Sequence, residues 1–327
     1  MTDIAPSQFS EIAGRIEAAV EQVIVGQRDV VRHAVIALLA NGHLLLEGLP
    51  GLGKTMLVRT LSDVLQLRFT RVQFTPDLMP ADIIGTDILE VSDSGERHFR
   101  FHQGPVFTNL LLADEINRAT PKTQSALLEA MQERQVSAGG HTYPLSPPFL
   151  VLATQNPIEL EGTYPLPEAQ LDRFLFKINV GYPSAAEMVE IVARTTGTTV
   201  PAAPQVADGD TVRAMQALAR DVPVATHIGE HAARIIVATH PDNPNAPELV
   251  RRYVRYGASP RGAQALILGG KVAALLAGRY NVALEDLHGV APAALRHRLI
   301  LTYEADSEGV TADAVVAAVL ENVLHTS

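Results

Sequence analysis

Apolar side chains recur at helical spacing near the amino terminus. The first series, which Ser10 precedes as a candidate N-cap, consists of Ile12, Ile16, Val20 and Val23. Spacings of three and four residues put these side chains on one helix face, and serine is a preferred residue at helix starts. A second helix is predicted from Asp29 to Ala40, and Asn41-Gly42 ends it.

Further along the chain, short apolar runs alternate with helical patterns. The apolar run His43 to Glu47 comes first, and we predict strands at Phe69 to Phe74, Leu110 to Ala113 and Phe149 to Ala153. Helical periodicity separates them, at Met56 to Leu65 and Pro121 to Arg134. This alternation favours a mostly parallel sheet with helices on both faces, in which ligands bind beyond the carboxyl ends of the strands.

Two insertions interrupt this alternation, and each has the pattern of a β-hairpin. In the first, Ile88 to Val91 and Arg97 to Phe101 flank the polar segment Ser92 to Glu96. In the second, strands Gln135 to Ala138 and Thr142 to Leu145 flank Gly139-Gly140. We expect both tips to be exposed, either as decoration of the sheet or as loops that contact a substrate.

The character of the chain changes around Tyr182-Pro183, because alanine-rich helical patterns then replace the strands. They run from Ala185 to Arg194 and from Asp210 onwards, with loops at Pro201 to Pro204 and Pro241 to Pro247. We therefore predict two domains, an α/β domain over residues 1–182 and a helical domain over residues 183–327.

Composition narrows the classes of function. The chain has 327 residues, of which 47% are hydrophobic and 19% charged, so it is long enough for two globular cores. It has no cysteine, which excludes disulfides, thiolate metal sites and a cysteine nucleophile. A net charge of −10 counts against a nucleic-acid partner. The first residues do not form a basic segment followed by an apolar one, and no apolar run approaches bilayer length, so we expect no membrane insertion and a cytoplasmic location.

A glycine-rich segment directly after the first apolar run carries the strongest chemical signal. It reads Gly48-Leu49-Pro50-Gly51-Leu52-Gly53-Lys54-Thr55, which fits the pattern G-x-x-x-x-G-K-[ST]. Glycines let backbone N–H groups turn towards phosphate oxygens, and the following helix adds its positive N-terminal end. Lys54 is expected to reach the outer phosphates and the Thr55 hydroxyl to hold Mg²⁺.

Polar side chains that follow two later strands are expected at the same edge of the sheet. Asp114 and Glu115 end the apolar run that starts at Leu110. Asp114 is expected to position the Mg²⁺ shell beside Thr55, and Glu115 to orient the water that attacks the γ-phosphate. Asn156 follows the next strand, where its amide is either a γ-phosphate ligand or part of a turn with Pro157.

Two arginines complete the candidate chemistry. Arg173 lies in Leu171-Asp172-Arg173-Phe174 and Arg261 in Ser259-Pro260-Arg261-Gly262. Each is either a surface salt-bridge residue or a guanidinium that stabilises the charge developing in phosphoryl transfer from a neighbouring subunit.

Many segments together identify a resemblance to the MoxR family of AAA+ ATPases over nearly the whole chain. Besides the Gly48 to Thr55 loop, they are Val25 to Gln27, Gln73 to Gly85, Gly104 to Phe107, Ala113 to Ala119, Ala153 to Pro157, Pro167 to Phe174 and Gly257 to Arg261. The resemblance implies an AAA+ P-loop NTPase core with a parallel five-stranded sheet and β-hairpin insertions, followed by an all-α lid domain.

The resemblance also implies roles for individual residues, with ATP and Mg²⁺ as ligands. Gly48 to Thr55 corresponds to Walker A, Asp114 and Glu115 to Walker B, and Asn156 to sensor 1. Arg173 corresponds to the arginine finger and Arg261 to sensor 2, which in relatives acts either on its own nucleotide or on a neighbour's. Val25 and Gly26 belong to the segment near adenine, and the two hairpins match insertions that face a central pore.

As to function, the resemblance implies a ring, usually a hexamer, that hydrolyses ATP and helps partner proteins to mature or to receive a metal or cofactor. A partner with a von Willebrand factor A domain is implied as well. Two alternatives share the nucleotide site, a nucleotide-gated scaffold and a nucleic-acid motor. The intact Glu115 favours an enzyme over the scaffold, and the acidic balance counts against the motor.

One further motif, His227-Ile228-Gly229-Glu230-His231, fits the zinc-protease pattern H-x-x-E-H. Gly229 weakens the helix on which both histidines would face the metal, and no third ligand is evident. We therefore do not expect a zinc site.

Overall fold

In the computed structural model, residues 4–49, 51–91, 97–156, 162–197 and 202–325 are described. The helices are α1 (Pro6–Glu21), α2 (Arg28–Leu39), α3 (Lys54–Val64), α4 (Pro80–Ile84), α5 (Pro121–Glu133), α6 (Glu168–Leu171), α7 (Ala185–Thr196), α8 (Gly209–Asp221), α9 (Thr226–Ala238), α10 (Glu248–Tyr253), α11 (Pro260–Leu276), α12 (Leu284–Leu295), α13 (Tyr303–Ser307) and α14 (Ala312–His325). The strands are β1 (Leu44–Gly48), β2 (Phe69–Gln73), β3 (Gly85–Val91), β4 (Arg97–Gln103), β5 (Leu110–Asp114), β6 (Gln135–Ala138), β7 (His141–Pro144), β8 (Leu150–Gln155), β9 (Phe176–Val180), β10 (Val254–Tyr256) and β11 (Ile300–Leu301).

Five of these strands form a parallel sheet in the order β2-β5-β8-β1-β9. Alternate residues of the strands enter two different apolar clusters, one on each face. Leu44, Leu110 and Leu152 pack with α1, α2, α3 and the C-terminal helices, whereas Leu45, Leu111 and Val151 pack with α5. Because both faces are buried at the centre of the sheet, β1, β5 and β8 read as nearly continuous apolar runs, and the predicted fold class is confirmed.

The edge strand β9 was not among the strands that the pattern predicted. Its buried residues alternate with polar ones, as Phe176, Ile178 and Val180 point inward while Lys177 and Asn179 do not. Three apolar positions over five residues are a weak signal. The strand becomes visible in the structure through its pairing, which runs from Leu44 opposite Phe176 to Gly48 opposite Val180.

The first helix begins earlier than predicted. Ser10 lies inside α1 rather than at its N-cap, because Pro6 occupies the first turn and the Gln8 side chain accepts a hydrogen bond from the Ala5 N–H at 3.0 Å. The Ser10 hydroxyl instead donates to the Leu276 carbonyl at 3.0 Å. It therefore ties α1 to the end of α11.

Both predicted hairpins are present, formed by β3 with β4 and by β6 with β7. The first tip, Ser92 to Glu96, lies outside the described residues. Gly139 and Gly140 form the second turn with φ of +55° and +78°, which glycine adopts without strain. The Phe101 and Tyr143 rings stack with centroids 4.0 Å apart, so the two hairpins contact each other.

After β9 the chain is mainly helical, with one short antiparallel pairing of β10 and β11. These strands of three and two residues are too short for a periodic signal. Helices α9, α11, α12 and α14 share one apolar cluster with α1 and α2. Among the described helices, none combines the length and the apolar character that crossing a bilayer requires. The domain limit at residue 182 stays a prediction.

Candidate active site

A cleft of about 470 Å³ opens at the carboxyl edge of the central sheet. Its wall is built from the segments that follow β1, β5 and β8, together with the start of α3. The predicted site residues that line it are Gly51, Gly53, Lys54, Thr55, Asp114, Glu115 and Asn156. The structure therefore brings the glycine-rich loop, both acids and the asparagine to one place.

The loop has the backbone that a phosphate cradle requires. Gly51 and Gly53 have φ of +82° and +77°, and Gly53 forms the N-cap of α3 without a side-chain hydrogen bond. The first N–H groups of α3 are thus left for an anion. A Cβ at Gly48 would lie 2.7 Å from the Val180 carbonyl, so β9 packs against the loop where only glycine fits. Pro50 lies outside the described residues.

Lys54 is held inside the loop itself. Its ammonium donates to the Gly48 carbonyl at 2.6 Å. Burial lowers the pKa of Lys54, while the nearby carboxylates of Asp114, Glu115 and Glu47 oppose that shift. A phosphate oxygen is a stronger partner than a neutral carbonyl, so this lysine is poised to exchange one for the other.

One threonine hydroxyl orients both acids. Thr154, near the end of β8, donates to Asp114 Oδ1 at 2.6 Å and accepts from the Glu115 N–H at 2.8 Å. Glu115 has φ of +57°, an unusual backbone conformation for this residue type that the Thr154 bond supports. Sequence reasoning missed Thr154, although it lies within the segment Ala153 to Pro157 that pointed to this family.

The edge strand β2 supplies two more partners that sequence reasoning missed. Arg71 donates to Asp114 Oδ2 through NH2 at 2.7 Å and through Nε at 3.0 Å. Gln73 donates to Glu115 Oε2 at 2.7 Å, and Arg118 reaches the same oxygen at 3.1 Å. Arg71 and Gln73 are two residues apart on one strand, so they share a face beside β5. Each acid of the cleft is therefore already bound by a donor.

The cleft offers the oxygen donors that magnesium prefers. The Thr55 hydroxyl and the Asp114 carboxylate line it together. Asp114 Oδ1 is taken by Thr154, whereas Oδ2 faces the guanidinium of Arg71, which is itself about half exposed with 48% of its side chain accessible. A metal ion at Oδ2 would replace one positive charge with another, so the residues fit Mg²⁺.

A second slot, of about 240 Å³, adjoins the loop and is lined mainly by apolar side chains. Val25 and Leu52 lie in its wall, opposite residues of α7 such as Ile191. Gln27 donates to the Leu52 carbonyl at 2.8 Å and so fixes the wall to the loop. Gly26, with φ of +72°, approaches Glu187 so closely that a Cβ would clash. The size and apolar lining suit a flat aromatic base.

Arg173 and Arg261 do not line either of these cavities. They lie together in a cleft of about 240 Å³ at the opposite, amino edge of the sheet, beside Asn41, Gly42 and His43. The Leu175 N–H donates to the His43 carbonyl at 2.8 Å, which fixes the segment before β9 to the residues before β1. Because Lys54 follows β1 and Arg173 precedes β9, a strand length of about 16 Å separates them.

The two arginines have few partners at that edge. The Nε of Arg173 is buried and has no hydrogen-bond partner among the described residues. Arg261 has 44% of its side chain exposed, and its NH1 lies 3.9 Å from Asp172 Oδ2. Arg173 is partly exposed and Arg261 is exposed, so both side chains border the open cleft at this edge.

Two buried histidines lie beside these arginines. His43 accepts from the Val151 N–H at 3.0 Å through Nδ1 and donates from Nε2 to the Met131 carbonyl at 3.1 Å. Burial, together with the charge of Arg134, lowers the pKa of His43 to about 3. Burial and then the charge of Arg298 hold the pKa of His297 well below its usual value. Both imidazoles are therefore neutral at pH 7.

The H-x-x-E-H motif lies on α9, where its histidines have different surroundings. His227 is exposed, whereas His231 is buried with its Nε2 2.8 Å from Nε2 of His288. In the described part of the chain, no three side chains of the metal-ligating types come together as a metal site.

Two known families match the chain. The family described as "ATPase family associated with various cellular activities (AAA)" matches residues 43–176, and "AAA lid domain" matches residues 247–319. The first match covers the sheet and the cleft at its carboxyl edge, and the second covers helices from the end of the α9–α10 loop to α14.

Individual relatives match over nearly the whole chain. It is 48% identical over 305 residues to "Chaperone MoxR1" of Mycobacterium tuberculosis, covering 93% of this chain and 80% of that protein. It is 34% identical over 321 residues to "Protein MoxR" of Paracoccus denitrificans, covering 92% and 93%. A crystal structure from Cytophaga hutchinsonii, whose name describes it provisionally as an ATPase, superposes with a TM-score of 0.89 at 40% identity and covers 96% of this chain and 94% of that one.

Proposed function

The chain belongs to the MoxR family of AAA+ ATPases, and from this premise we propose that it hydrolyses ATP within a ring of its own copies and remodels or activates partner proteins. One observation carries the proposal. The glycine-rich loop with its acids and the pair Arg173 and Arg261 lie at opposite edges of one sheet. A complete phosphoryl-transfer site then needs two copies of the chain.

Binding of the triphosphate is assigned to the loop. Lys54 leaves the Gly48 carbonyl for the outer phosphates, and the N–H groups at the start of α3 donate to phosphate oxygens. Thr55 and Asp114 hold Mg²⁺, which neutralises phosphate charge when it is bound. The base is assigned to the apolar slot beside Val25 and Gly26.

Hydrolysis is assigned to Glu115 and Asn156. The Glu115 carboxylate accepts a proton or hydrogen bond from the attacking water and orients it towards the γ-phosphate. To do so it has to leave Gln73, which holds Oε2 at 2.7 Å. The Asn156 amide contacts the γ-phosphate from the same edge and so distinguishes the two nucleotide states.

Charge compensation is assigned to the neighbouring copy. Arg173 and Arg261 cannot reach the loop of their own chain across the length of a strand, so both act in trans, on the nucleotide of the next subunit. A guanidinium supplied in this way contributes about 10³ to 10⁵ in turnover. Six copies per ring are proposed because the family usually forms hexamers.

The mechanical output is assigned to the two hairpins. Loss of the γ-phosphate changes which contacts Asn156, Arg173 and Arg261 make, and two states with different contacts couple hydrolysis to movement. The hairpins would act on a partner, proposed to carry a von Willebrand factor A domain and to be matured or loaded with a metal or cofactor. A purified protein with such a domain should change the turnover of the ring.

Assembly and turnover test the proposal together. Particle mass by light scattering and phosphate release are measured with ATP and Mg²⁺ for the parent chain, Lys54→Ala and Glu115→Gln, with Arg15→Ala on the exposed side of α1 as control. We expect a ring that hydrolyses ATP for the parent and control only. A parent chain that remains monomeric and releases no phosphate would overturn the proposal. If Glu115→Gln keeps the full effect on the partner, the chain is a nucleotide-gated scaffold instead.

A further inference from the structure

A buried ion pair lies directly beside Arg173. Asp172 Oδ1 accepts from Nε of Arg298 at 2.8 Å. Only 2% of the Arg298 side chain is exposed, against 19% for Asp172. The two residues are 126 positions apart in the sequence, so the pair joins the segment before β9 to the segment after α12.

The Arg298 guanidinium also holds the backbone around Arg173. Its NH2 donates to the carbonyls of Asp172 at 3.2 Å and Phe174 at 2.8 Å, and its NH1 donates to the Leu175 carbonyl at 3.2 Å. Burial lowers the pKa of Arg298 to about 10, with Asp172 opposing the shift, so the group is charged at pH 7. One rigid fork therefore fixes the carbonyls on both sides of Arg173.

The same carboxylate reaches the segment that carries Arg261. Asp172 Oδ2 accepts from the Ser259 hydroxyl at 2.8 Å, and Ser259 caps α11 by accepting from the Arg261 N–H at 3.2 Å. Arg261 NH1 lies 3.9 Å from the same oxygen. Asp172 is thus the point at which the segments of Arg173, Arg261 and Arg298 meet.

Stability alone is a poor reason for this arrangement. Desolvation of a buried charge offsets much of the attraction in an ion pair, and apolar side chains of similar volume often stabilise a fold as well or better. A hydrogen-bonded guanidinium fork instead fixes the position and orientation of the backbone that carries Arg173. The buried Nε of Arg173 has no hydrogen-bond partner among the described residues, so no hydrogen bond from this atom orients the Arg173 side chain.

We propose that Asp172, Arg298 and Ser259 are positioning residues that hold Arg173 and Arg261 as one unit, presented to the nucleotide of the neighbouring copy. This inference rests on the proposed function, because it requires that the two arginines act in trans. It assigns Arg298 an effect on catalysis although it lies in the helical region and touches no nucleotide. Loss of the fork is expected to lower kcat and leave the KM for ATP unchanged.

Variants of Arg298 and a nearby arginine give the first measurement. Arg298→Met is expected to lower kcat about 10²-fold, the effect of a displacement of about 1 Å at a reacting centre. Arg296→Met is the matched control, because Arg296 is also partly buried and also pairs with an acid, Asp313 at 2.9 Å, but does not touch residues 172–175. It should retain parental kcat. Equal losses in both variants would overturn the proposal.

Mixed rings separate a positioning role from general damage. In a mixture of Arg298→Met with Glu115→Gln, every Arg298→Met subunit keeps its own loop and acids, and those that follow a Glu115→Gln neighbour receive an intact arginine pair. Turnover should therefore reappear, although each variant alone is inactive or slow. A mixture of Arg298→Met with Arg173→Ala should stay slow, because neither variant presents a correctly positioned arginine pair to its neighbour.

A reference mixture distinguishes failure of this inference from failure of the proposed function. Arg173→Ala mixed with Glu115→Gln should recover turnover if arginines act in trans at all. If this reference recovers and the Arg298→Met mixture does not, the positioning role is wrong while the proposed function stands. If the reference mixture does not recover turnover, the arginines do not act in trans. The positioning role and the proposed function are then both wrong.

A milder variant guards against misfolding. Ser259→Ala leaves no buried charge unpaired, and loss of a helix cap costs only about 1 kcal/mol of stability. It releases α11 from Asp172 and should lower kcat severalfold with nucleotide affinity unchanged. A Ser259→Ala ring that turns over at the parental rate would contradict the link between Asp172 and Arg261.

Discussion

The two edges of the central sheet carry two halves of one proposed site, but they are built in different ways. At the carboxyl edge, the loop Gly48 to Thr55 and the acids Asp114 and Glu115 come from short contiguous motifs at strand ends. At the amino edge, Arg173 and Arg261 are brought together by Asp172 and Arg298, which lie far apart in the sequence. Local backbone conformation positions the residues of the first half, and tertiary contacts position those of the second. Substitutions at the two edges should therefore have different effects.

Removing an arginine from the amino edge should give the largest effect that leaves nucleotide binding intact. Arg173→Ala is expected to lower kcat about 10³-fold, because a guanidinium delivered in trans stabilises charge only in the transition state. Affinity for a fluorescent ATP analogue should stay unchanged, whereas Lys54→Ala should abolish it. If Arg173→Ala in the assembled state hydrolyses ATP at the parental rate, the two-edge division of the site is wrong.

At the carboxyl edge, Thr154→Val should have the next largest effect. It removes the hydroxyl that orients both Asp114 and Glu115, so kcat should fall about 10²-fold through misplacement of the acids. Thr123→Val is a matched control, since Thr123 is also fully buried but donates to Leu78 instead. Mixing Thr154→Val with Glu115→Gln should restore nothing, because both variants lack the same half. If turnover recovers in that mixture, Thr154 and Glu115 do not belong to the same half of the proposed site.

Lowering the pH should destabilise the fold through His43 at the amino edge. His43 has a folded pKa of about 3 against an unfolded value of 6.5, so its stabilising effect is complete above pH 6.5 and is lost as pH falls towards 3. The free energy of unfolding should decrease by about 1.4 kcal/mol per pH unit in that window from this residue. Urea titrations at pH 7 and pH 5 measure the slope.

The matched variants for that slope are His43→Asn and His98→Gln. The first should reduce the acid slope by the share of His43, because it removes one of the two buried histidines beside the arginines that have to become protonated, while His297 remains. The second lies on the exposed first hairpin, 53% accessible at its side chain, and should keep the parental slope. Equal slopes for both variants would exclude His43 as the origin of the acid sensitivity.

The smallest effect is expected from Arg71→Met. In the proposed site the Arg71 guanidinium would compete with Mg²⁺ for the Asp114 carboxylate, but Arg71 is about half exposed and exposed ion pairs contribute only about 0.2 to 1 kcal/mol. The Mg²⁺ concentration for half-maximal turnover should therefore fall by a factor of about 1.4 to 5. A rise in that concentration would mean that Arg71 assists the metal instead of competing with it.

The carboxyl and amino edges of the sheet also differ in how much of each could be predicted from the sequence. That the glycine-rich loop, Asp114, Glu115 and Asn156 share one cleft could be predicted because each motif is contiguous and each strand end is marked by an apolar run. Their partners Thr154, Arg71 and Gln73 could not, because cross-strand neighbours depend on the strand order β2-β5-β8. The sequence also does not say that β2 is an edge strand.

At the amino edge, prediction was limited to single residues. Arg173 and Arg261 could be named as candidates from their motifs, but whether Arg261 lies near the glycine-rich loop of its own chain depends on the tertiary structure, which places it near the start of β9. The strand itself has only three buried apolar side chains and was not assigned. Arg298 stands in the basic run Arg296-His297-Arg298, which on sequence alone predicts a solvated helix face, and only its partner Asp172 makes its burial possible.

The stacked rings of Phe101 and Tyr143 have a consequence for the hairpins. Such a stack is worth about 0.5 to 1.5 kcal/mol, which favours the joined arrangement by about two- to twelvefold. Asp87 of β3 also lies directly against Gly139 of the second hairpin, so the ring pair is one of at least two contacts that join the hairpins. Movement of one hairpin is therefore expected to carry the other with it, and Phe101→Ala should loosen this mechanical linkage without removing it.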